Sequence, residues 1–324
     1  IIIIILKILI YLLVIYQLLL LFYYFCRFIY RHFIMKKKDL LKRYGYNSYV
    51  IITGASSGQG YHFAKEFASL GFNLFLIGSI RTNKVLNELK TQYPSINIIF
   101  KQKDFRKAYE TSFFNDIKET INSINVSILI NNVAHRSAWK PYHKMPNKLI
   151  NDTIIVGTIV QSQLTRLVIP QFIKRKEHNA ILNITAQCIF PTYGFGEILD
   201  NAVSLPYLSV YEASNAFGYY QSNSLMKEYE KYNYKLDILN IMPGAVLTEN
   251  TKYLKNTIFN VKVDIFVKNI MKMIGNVNGN YYGYWGHEFS IFLVNLVPFL
   301  KNSILHKTGE TITNEYMSTT PKKY

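Results

Sequence analysis

The stretch Tyr49-Val50-Ile51-Ile52-Thr53-Gly54-Ala55-Ser56-Ser57-Gly58-Gln59-Gly60 constrains what this chain can fold into more than any other. A short apolar run of strand character ends in a turn whose glycines are spaced Thr-Gly-x-x-x-Gly-x-Gly. Helical spacing follows at once: Phe63, Phe67 and Leu70 fall at i, i+4 and i+7, and Gly71 stops the pattern. A strand that feeds a helix through such a turn aims backbone N–H groups and the positive helix end at one point, which suits a pyrophosphate. Further strands are expected at Asn73–Ile77, Ile96–Phe100, Val126–Ile130, Ala180–Ile184 and Leu236–Ile241, with helical stretches between them. Parallel strands need crossover connections, so this alternation specifies an α/β fold with a doubly wound parallel sheet.

A second feature precedes it. Ile8 to Cys26 is an uncharged stretch of 19 residues, which at about 1.5 Å per residue nearly spans a bilayer's apolar layer. Lys7 at one end can snorkel, and Tyr23, Tyr24, Phe28 and Tyr30 supply interfacial aromatics at the other. Seven basic residues then stand between Arg27 and Arg43 against the single acid Asp39. A secretory signal has its charge before the apolar run and small residues after it, the reverse of this order. Residues 1–30 are therefore expected to be a retained single-pass transmembrane anchor and 31–44 a basic juxtamembrane segment. Residues 45–305 are the expected folded domain and 306–324 a C-terminal tail. The basic flank is expected to keep the domain on the cytosolic or matrix side.

The formal charge of +17 is open to three partners: nucleic acid, an anionic membrane surface, or an anionic cofactor. No nucleic-acid reading motif accompanies it, so no nucleic-acid partner is expected. With 49% hydrophobic and 18% charged residues the chain is not a disordered one. Cys26 and Cys188 are too far apart in sequence to suggest a disulfide scaffold, and no CxxC or His-rich cluster suggests a metal.

At the glycine turn the chain resembles the short-chain dehydrogenase/reductase family, from about Tyr44 to about Lys255. Thr53 to Gly60 matches that family's nucleotide-binding turn, with Gln59 where an aliphatic residue is usual. Lys103-Asp104-Phe105 resembles its adenine-contacting acid, Asn131-Asn132-Val133-Ala134 its Asn-Asn-Ala-Gly motif, and Pro243 to Thr248 its nicotinamide loop. The segments LGFNLFLI, ILINNVA and AILNIT echo the membrane-anchored branch of hydroxysteroid dehydrogenases and very-long-chain 3-oxoacyl-CoA reductases. The resemblance implies a Rossmann-type fold. It also implies a dinucleotide held by Thr53, Gly54, Ser56, Ser57, Gly58, Gly60, Asp104, Asn131, Pro243, Gly244 and Thr248. An acid closing the second strand would bind the ribose of NAD and repel a 2′-phosphate. Gly78-Ser79-Ile80-Arg81 has none, so NADP(H) is favoured over NAD, with Ser79 and Arg81 as phosphate contacts or Arg81 as a solvated helix-start residue.

The catalytic positions depart from the resemblance. Tyr211 stands where the family has its acid/base tyrosine, but Asn215 replaces the lysine four residues on and Ala186 the serine of the fifth strand. Gly157 aligns with the asparagine of the preceding helix, with Asn151 as a weaker candidate. No lysine or arginine occurs between Lys176 and Lys227, and Lys227 is about 18 Å along a helix from Asn215. Without a nearby cation a tyrosine is ionised to roughly one part in a thousand at neutral pH. Thr185, Ser204 and Ser209 remain as substitutes for the serine. Ala186 and Tyr211 are 25 residues apart, longer than usual, and the extra segment around Tyr193 to Ser204 is expected to fill the cleft, meet a partner, or be a tolerated insertion. His135, Trp139 and His143 read as ordinary loop residues. Phe289 to Leu300 is too short to span a membrane. It reads as a closing helix on the core, an interfacial helix, or a partner-binding helix.

Two functions follow. In the first, Tyr211 is a remnant and the chain is a catalytically inactive accessory subunit, with protein partners in a membrane complex and NADP(H) retained as a structural ligand. The alternative is an active NADPH-dependent reductase of 3-oxoacyl-CoA or a steroid-like ketone in lipid metabolism.

Overall fold

A computed structural model describes residues 2–135, 139–187, 205–232, 234–251, 253–296 and 298–319. The chain divides into two compact units, 1–37 and 38–324. The first is helix α1 (Ile2–Ile29), which runs on into a π-helical turn at Tyr30–Ile34. Together they are long and apolar enough to cross a membrane, and no residue of α1 is buried. That pattern suits a helix whose solvent is lipid rather than protein.

The second unit opens with α2 (Leu40–Tyr44), whose N-cap Asp39 accepts from Lys42 N. Leu40 and Tyr44 are fully buried in the core, worth about 2 kcal/mol each in apolar transfer. Tyr44 Oη donates to Asp237 at 2.7 Å, and Arg43 binds the same carboxylate through Nε and Nη2, both at 2.9 Å. The folded unit therefore begins earlier than the sequence suggests. Apolar side chains hidden among lysines commit this end of the basic segment to the interior, and Arg43 is not free to meet lipid.

Five βα units and a sixth strand follow: β1 (Tyr49–Thr53), α3 (Gly58–Ser69), β2 (Asn73–Gly78), α4 (Thr82–Gln92), β3 (Ile98–Gln102), α5 (Asn115–Ser123), β4 (Val126–Asn131), α6 (Asn147–Ile154) with α7 (Val160–Lys174), β5 (Asn179–Ile184), α8 (Ser209–Glu230) and β6 (Leu236–Ile241). Short β7 (Val246–Leu247) and β8 (Val261–Lys262) pair with each other. Then come α9 (Val263–Met273), β9 (Gly279–Tyr281), α10 (Trp285–Leu296) and α11 (Pro298–Thr319). The main sheet is parallel throughout, in the order β3-β2-β1-β4-β5-β6-β9. This is the expected doubly wound sheet. Helices cover both faces, so β1 is apolar at every inner position: Val50 and Ile52 pack with Phe63, Phe67 and Phe266, while Ile51 packs with Ile117, Leu164 and Phe172.

Three details differ from expectation. Ile96 packs into the core from a turn, its N–H on Tyr93 O, and β3 starts two residues later. Strand β9 closes the sheet with Gly-Asn-Tyr, a sequence without strand character. The apolar run at 289–300 is split between α10 and α11 with Pro298 at the first position of α11, where its missing N–H costs nothing. Helix α11 continues to Thr319, across the expected domain end at 305. The helical stretch Asn147–Lys174 is also apolar enough to cross a membrane, but Val156, Val160, Leu164, Val168 and Phe172 bury it against the sheet.

Candidate functional site

The order of the sheet reverses between β1 and β4, and a crevice at the carboxyl ends of such strands is where an open α/β sheet takes ligands. Thr53 and Gly54 leave β1 there. Gly54 has φ +70° and Gly58 φ +57°, conformations that glycine adopts without strain. A Cβ on Gly60 would lie 2.7 Å from Asn132 Nδ2 and collide with the backbone of Gly54. The turn is thus a cradle walled by backbone. Thr53 Oγ1 accepts from Asn132 N at 2.9 Å and Val133 N at 3.0 Å, and Asn132 Nδ2 returns a bond to Thr53 O at 2.9 Å. The two strand ends are one rigid body at this point.

Ser57 is the N-cap of α3, yet its exposed hydroxyl makes no capping bond, which leaves it and the first N–H groups of α3 facing the crevice mouth. Ser56 is half-buried beside it. Thr248 packs against Gly58, where a Cβ would meet its Cγ2 at 3.4 Å. A motif almost two hundred residues downstream thereby joins the glycine turn. Ser79 and Arg81 are exposed past the end of β2, before α4. Asp104 grips Arg106 through both oxygens, at 2.8 and 2.6 Å, and that hydrogen-bonded guanidinium holds its carboxyl below the usual range.

Asn131 lies elsewhere than the resemblance implies. Its buried amide donates to Asn183 Oδ1 at 2.8 Å and Thr165 Oγ1 at 3.2 Å, and Asn183 passes the chain on to Ser222 of α8. It ties β4, β5, α7 and α8 together inside the protein. Its neighbour Asn132 is the residue that braces the glycine turn, and the pairing of two asparagines at a strand end was the only hint of that.

At the catalytic position α8 presents Tyr211, Ser214 and Asn215. Both Ser214 Oγ and Asn215 Nδ2 donate to Tyr211 O, at 2.8 and 2.7 Å. Ala186 is buried at the end of β5. Thr185 does not stand in for the serine, because its hydroxyl donates inward to Asn240 Oδ1 at 3.0 Å. Ser209 is exposed at the start of α8, and Ser204 with the segment Tyr193 to Ser204 lies outside the described residues. The π turn at Ile155–Ile159 brings Gly157 so close to α8 that a Cβ would lie 2.8 Å from Ser214, whereas Asn151 is exposed. Gly157 therefore occupies the site position.

These elements enclose a space of ≈ 10 Å3, lined by Val133 to His135, Gly157 and Gln161, Ile184 and Thr185, and Ser214 and Asn215. That holds one water at most. No lysine or arginine is among its lining residues. His135, half-buried, is the one titratable side chain lining it among the described residues; its Nδ1 is 3.4 Å from Thr153 Oγ1, and burial pushes its pKa down. The sequence marked it as a plain loop residue. Trp139 is buried and His143 exposed.

The Pro243-Gly244 loop is held from outside the motif. Gly244 N donates to His287 Nδ1 at 3.2 Å, and Gln187 receives Pro243 O on its N–H while its amide donates to His287 O at 2.8 Å. His287 and Gln187 belong to no pattern visible in the sequence. They clamp the start of α10 over the loop.

The family model for short chain dehydrogenase matches residues 48–258, from the first strand through the Thr248 loop. The chain belongs to the short chain dehydrogenase family. Among the proteins it is similar to, a very-long-chain 3-oxoacyl-CoA reductase of Caenorhabditis briggsae is 29% identical over 276 residues, covering 82% of this chain and 81% of the relative. A very-long-chain 3-oxoacyl-CoA reductase of Emericella nidulans is 26% identical over 294 residues, covering 90% and 80%. A short-chain dehydrogenase from Sphingobium yanoikuyae, solved in complex with NADPH, superposes with a TM-score of 0.59 at 22% identity, over 72% of this chain and 86% of that one. A 7beta-hydroxysteroid dehydrogenase structure gives a TM-score of 0.64 at 15% identity, over 79% and 93%. Short chain dehydrogenase architecture thus accounts for the second unit of the chain, and the relatives' names favour the reductase expectation over the inactive subunit.

Proposed function

We propose that this protein is a membrane-anchored oxidoreductase that reduces a long-chain 3-oxoacyl thioester or a comparable hydrophobic ketone, using NADP(H). The observation that carries the proposal is the backbone cradle at Gly54, Gly58 and Gly60, closed on one side by Asn132 and on the other by Thr248. Its tight walls and exposed Ser57 fit a pyrophosphate, and the absence of an acid after β2, with Ser79 and Arg81 exposed there, suits a 2′-phosphate. The names of the relatives supply the substrate class. A bound nicotinamide would supply hydride. The chain's own part is to position the carbonyl and deliver a proton from Tyr211. Reduction needs only a proton donor, while oxidation needs a phenolate that a tyrosine without a cation seldom forms. The site is therefore built for reduction. An apolar N-terminal helix with a basic flank suits a substrate that partitions into lipid, at the endoplasmic reticulum or the mitochondrial inner membrane.

The test uses the full-length protein in nanodiscs with NADPH and a long-chain 3-oxoacyl-CoA, followed by loss of NADPH fluorescence. Turnover that disappears in Tyr211→Phe is expected. No consumption with any long-chain 3-oxoacyl-CoA or steroid ketone would sink the reading.

A second reading rests on the site itself. With Ala186 and Asn215 in place of serine and lysine, and no cation lining the small cavity, the domain also suits a non-catalytic accessory subunit that keeps a dinucleotide for stability. It predicts that NADPH raises the melting temperature without being consumed, and that the chain migrates within a larger membrane complex after mild extraction.

A further inference from the structure

The end of the sheet opposite the glycine turn carries a cavity that neither reading uses. It lies wholly within the 38–324 unit, has a volume of ≈ 450 Å3, and is lined by Lys38, Asp39, Lys42, Arg43, Glu177, His178 and Lys235. His178 immediately precedes β5 and Lys235 immediately precedes β6, so the cavity sits at the amino ends of these strands. Five or six residues of strand, about 20 Å, separate it from the crevice.

Its charges do not cancel. Arg43 is paired with Asp237 at 2.9 Å and Glu177 lies 3.7 Å from Arg175, so Lys38, Lys42 and Lys235 face one remaining carboxylate, Asp39, which keeps its charge while capping α2. Lys38 and Lys235 each give one donor to a carbonyl, Gly275 O at 2.6 Å and Lys176 O at 2.9 Å, which leaves two donors on each ammonium group. Neither they nor Lys42 pair with a carboxylate among the described residues. His178 adds a buried Nδ1 with no hydrogen-bond partner, an orphan that a neutral imidazole can turn either to donate or to accept. Three unpaired ammonium groups and an orphan ring nitrogen around one concavity match a group with several anionic oxygens better than a single carboxylate.

We propose that this cavity binds a phosphate group, presented by a membrane lipid headgroup or by a soluble phosphate ester. The order of the chain favours the lipid source: Lys38 follows by four positions the end of a helical segment long and apolar enough to cross a membrane. The basic residues around Arg27 to Lys37 attract an anionic surface in general; the open depression adds a local cluster of donors, built partly from residues two hundred positions away.

Lysine footprinting of the full chain tests this in three settings: neutral phosphatidylcholine nanodiscs, the same discs with phosphatidic acid, and neutral discs with glycerol 3-phosphate in solution. Acetylation of Lys235 should fall at least about fivefold, four-fifths occupancy, in one or both phosphate settings, while exposed Lys227 is unchanged. Protection with phosphatidic acid alone identifies a headgroup, and protection with glycerol 3-phosphate as well identifies a soluble ester; either supports the site. Lys42→Gln with His178→Gln should remove the protection, and Lys36→Gln with Lys37→Gln should leave it. Equal labelling of Lys235 in all three settings overturns the proposal. So does loss of protection in the Lys36/Lys37 variant to the same extent as in the Lys42/His178 variant.

Discussion

Asn215 donates its side-chain amide to the carbonyl oxygen of Tyr211, one turn back on α8, at 2.7 Å. The side chain is thus folded down onto its own helix and carries no charge, while the residue lines the small space beside Gly157 and Ser214.

Restoring the lost groups should expose the direction bias. Asn215→Lys combined with Ala186→Ser should raise the rate of alcohol oxidation by ~10²-fold or more, because a positioned acid/base pair is worth that much, and should raise ketone reduction by less. Initial rates in both directions on the same preparation check it. Equal gains would show that proton delivery, not phenolate formation, was limiting.

Filling the cradle should separate binding from folding. Gly60→Ala forces a methyl against Asn132 and the Gly54 carbonyl, so it should cost roughly 2 kcal/mol of stability and abolish the thermal shift caused by NADPH. Ser57→Ala, which removes a hydroxyl with no capping bond, should leave the melting temperature of the ligand-free protein unchanged and weaken NADPH by about tenfold.

Dinucleotide choice is expected to reside after β2. Arg81→Ala should weaken NADPH by about tenfold and leave NADH unchanged, since only the former carries the phosphate that the guanidinium meets. Titration by fluorescence with each dinucleotide measures the ratio.

Asp237 holds the start of the folded unit. Asp237→Ala leaves Arg43 and the buried Tyr44 hydroxyl without their acceptor and should cost about 3 kcal/mol, the low end for breaking a buried pair because Arg43 is partly solvated. Urea denaturation followed by circular dichroism reads it.

Stability should fall on the acid side of neutrality. Burial is the main cause that lowers the pKa values of His62, His135 and His178 from 6.5. The unfolded chain therefore binds more protons than the folded one once the pH drops below about 6.5, and the stability present above that pH is lost as it falls through the folded values. Melting temperatures taken across this window should decline more steeply for the native protein than for His62→Gln/His135→Gln.

Much of the fold was legible because its signals are local. The apolar runs of β1, β2, β4, β5 and β6, the helical spacing of Phe63 and Phe67, and the stop at Gly71 are each set by burial on both faces of a sheet or by one backbone conformation. Leu40 and Tyr44 were hidden by the lysines around them, and β9 by the brevity of a Gly-Asn-Tyr run, whose Asn280 Oδ1 accepts from Asn240 Nδ2 of β6. In the site, Thr53, Gly54, Gly58, Gly60 and Thr248 converge as their motifs imply. The inward turn of Asn131, the brace from Asn132 and the clamp of His287 and Gln187 on Gly244 depend on contacts between distant segments, which no spacing rule records. Likewise His135 became noteworthy only once the π turn, α7 and α8 closed a small cavity beside it.

The π turn at Ile155–Ile159 holds one residue more than an α turn would, without ending the helical stretch. Everything upstream of it, including Asp152 and Thr153, is indexed about 100° apart from where an unbroken helix would put it relative to Val160 and Leu164. Deleting one residue there would re-register the whole upstream face against α8 in a single mutational event. The helix can change which side chain confronts Ser214 without disturbing the packed half that anchors it to the sheet.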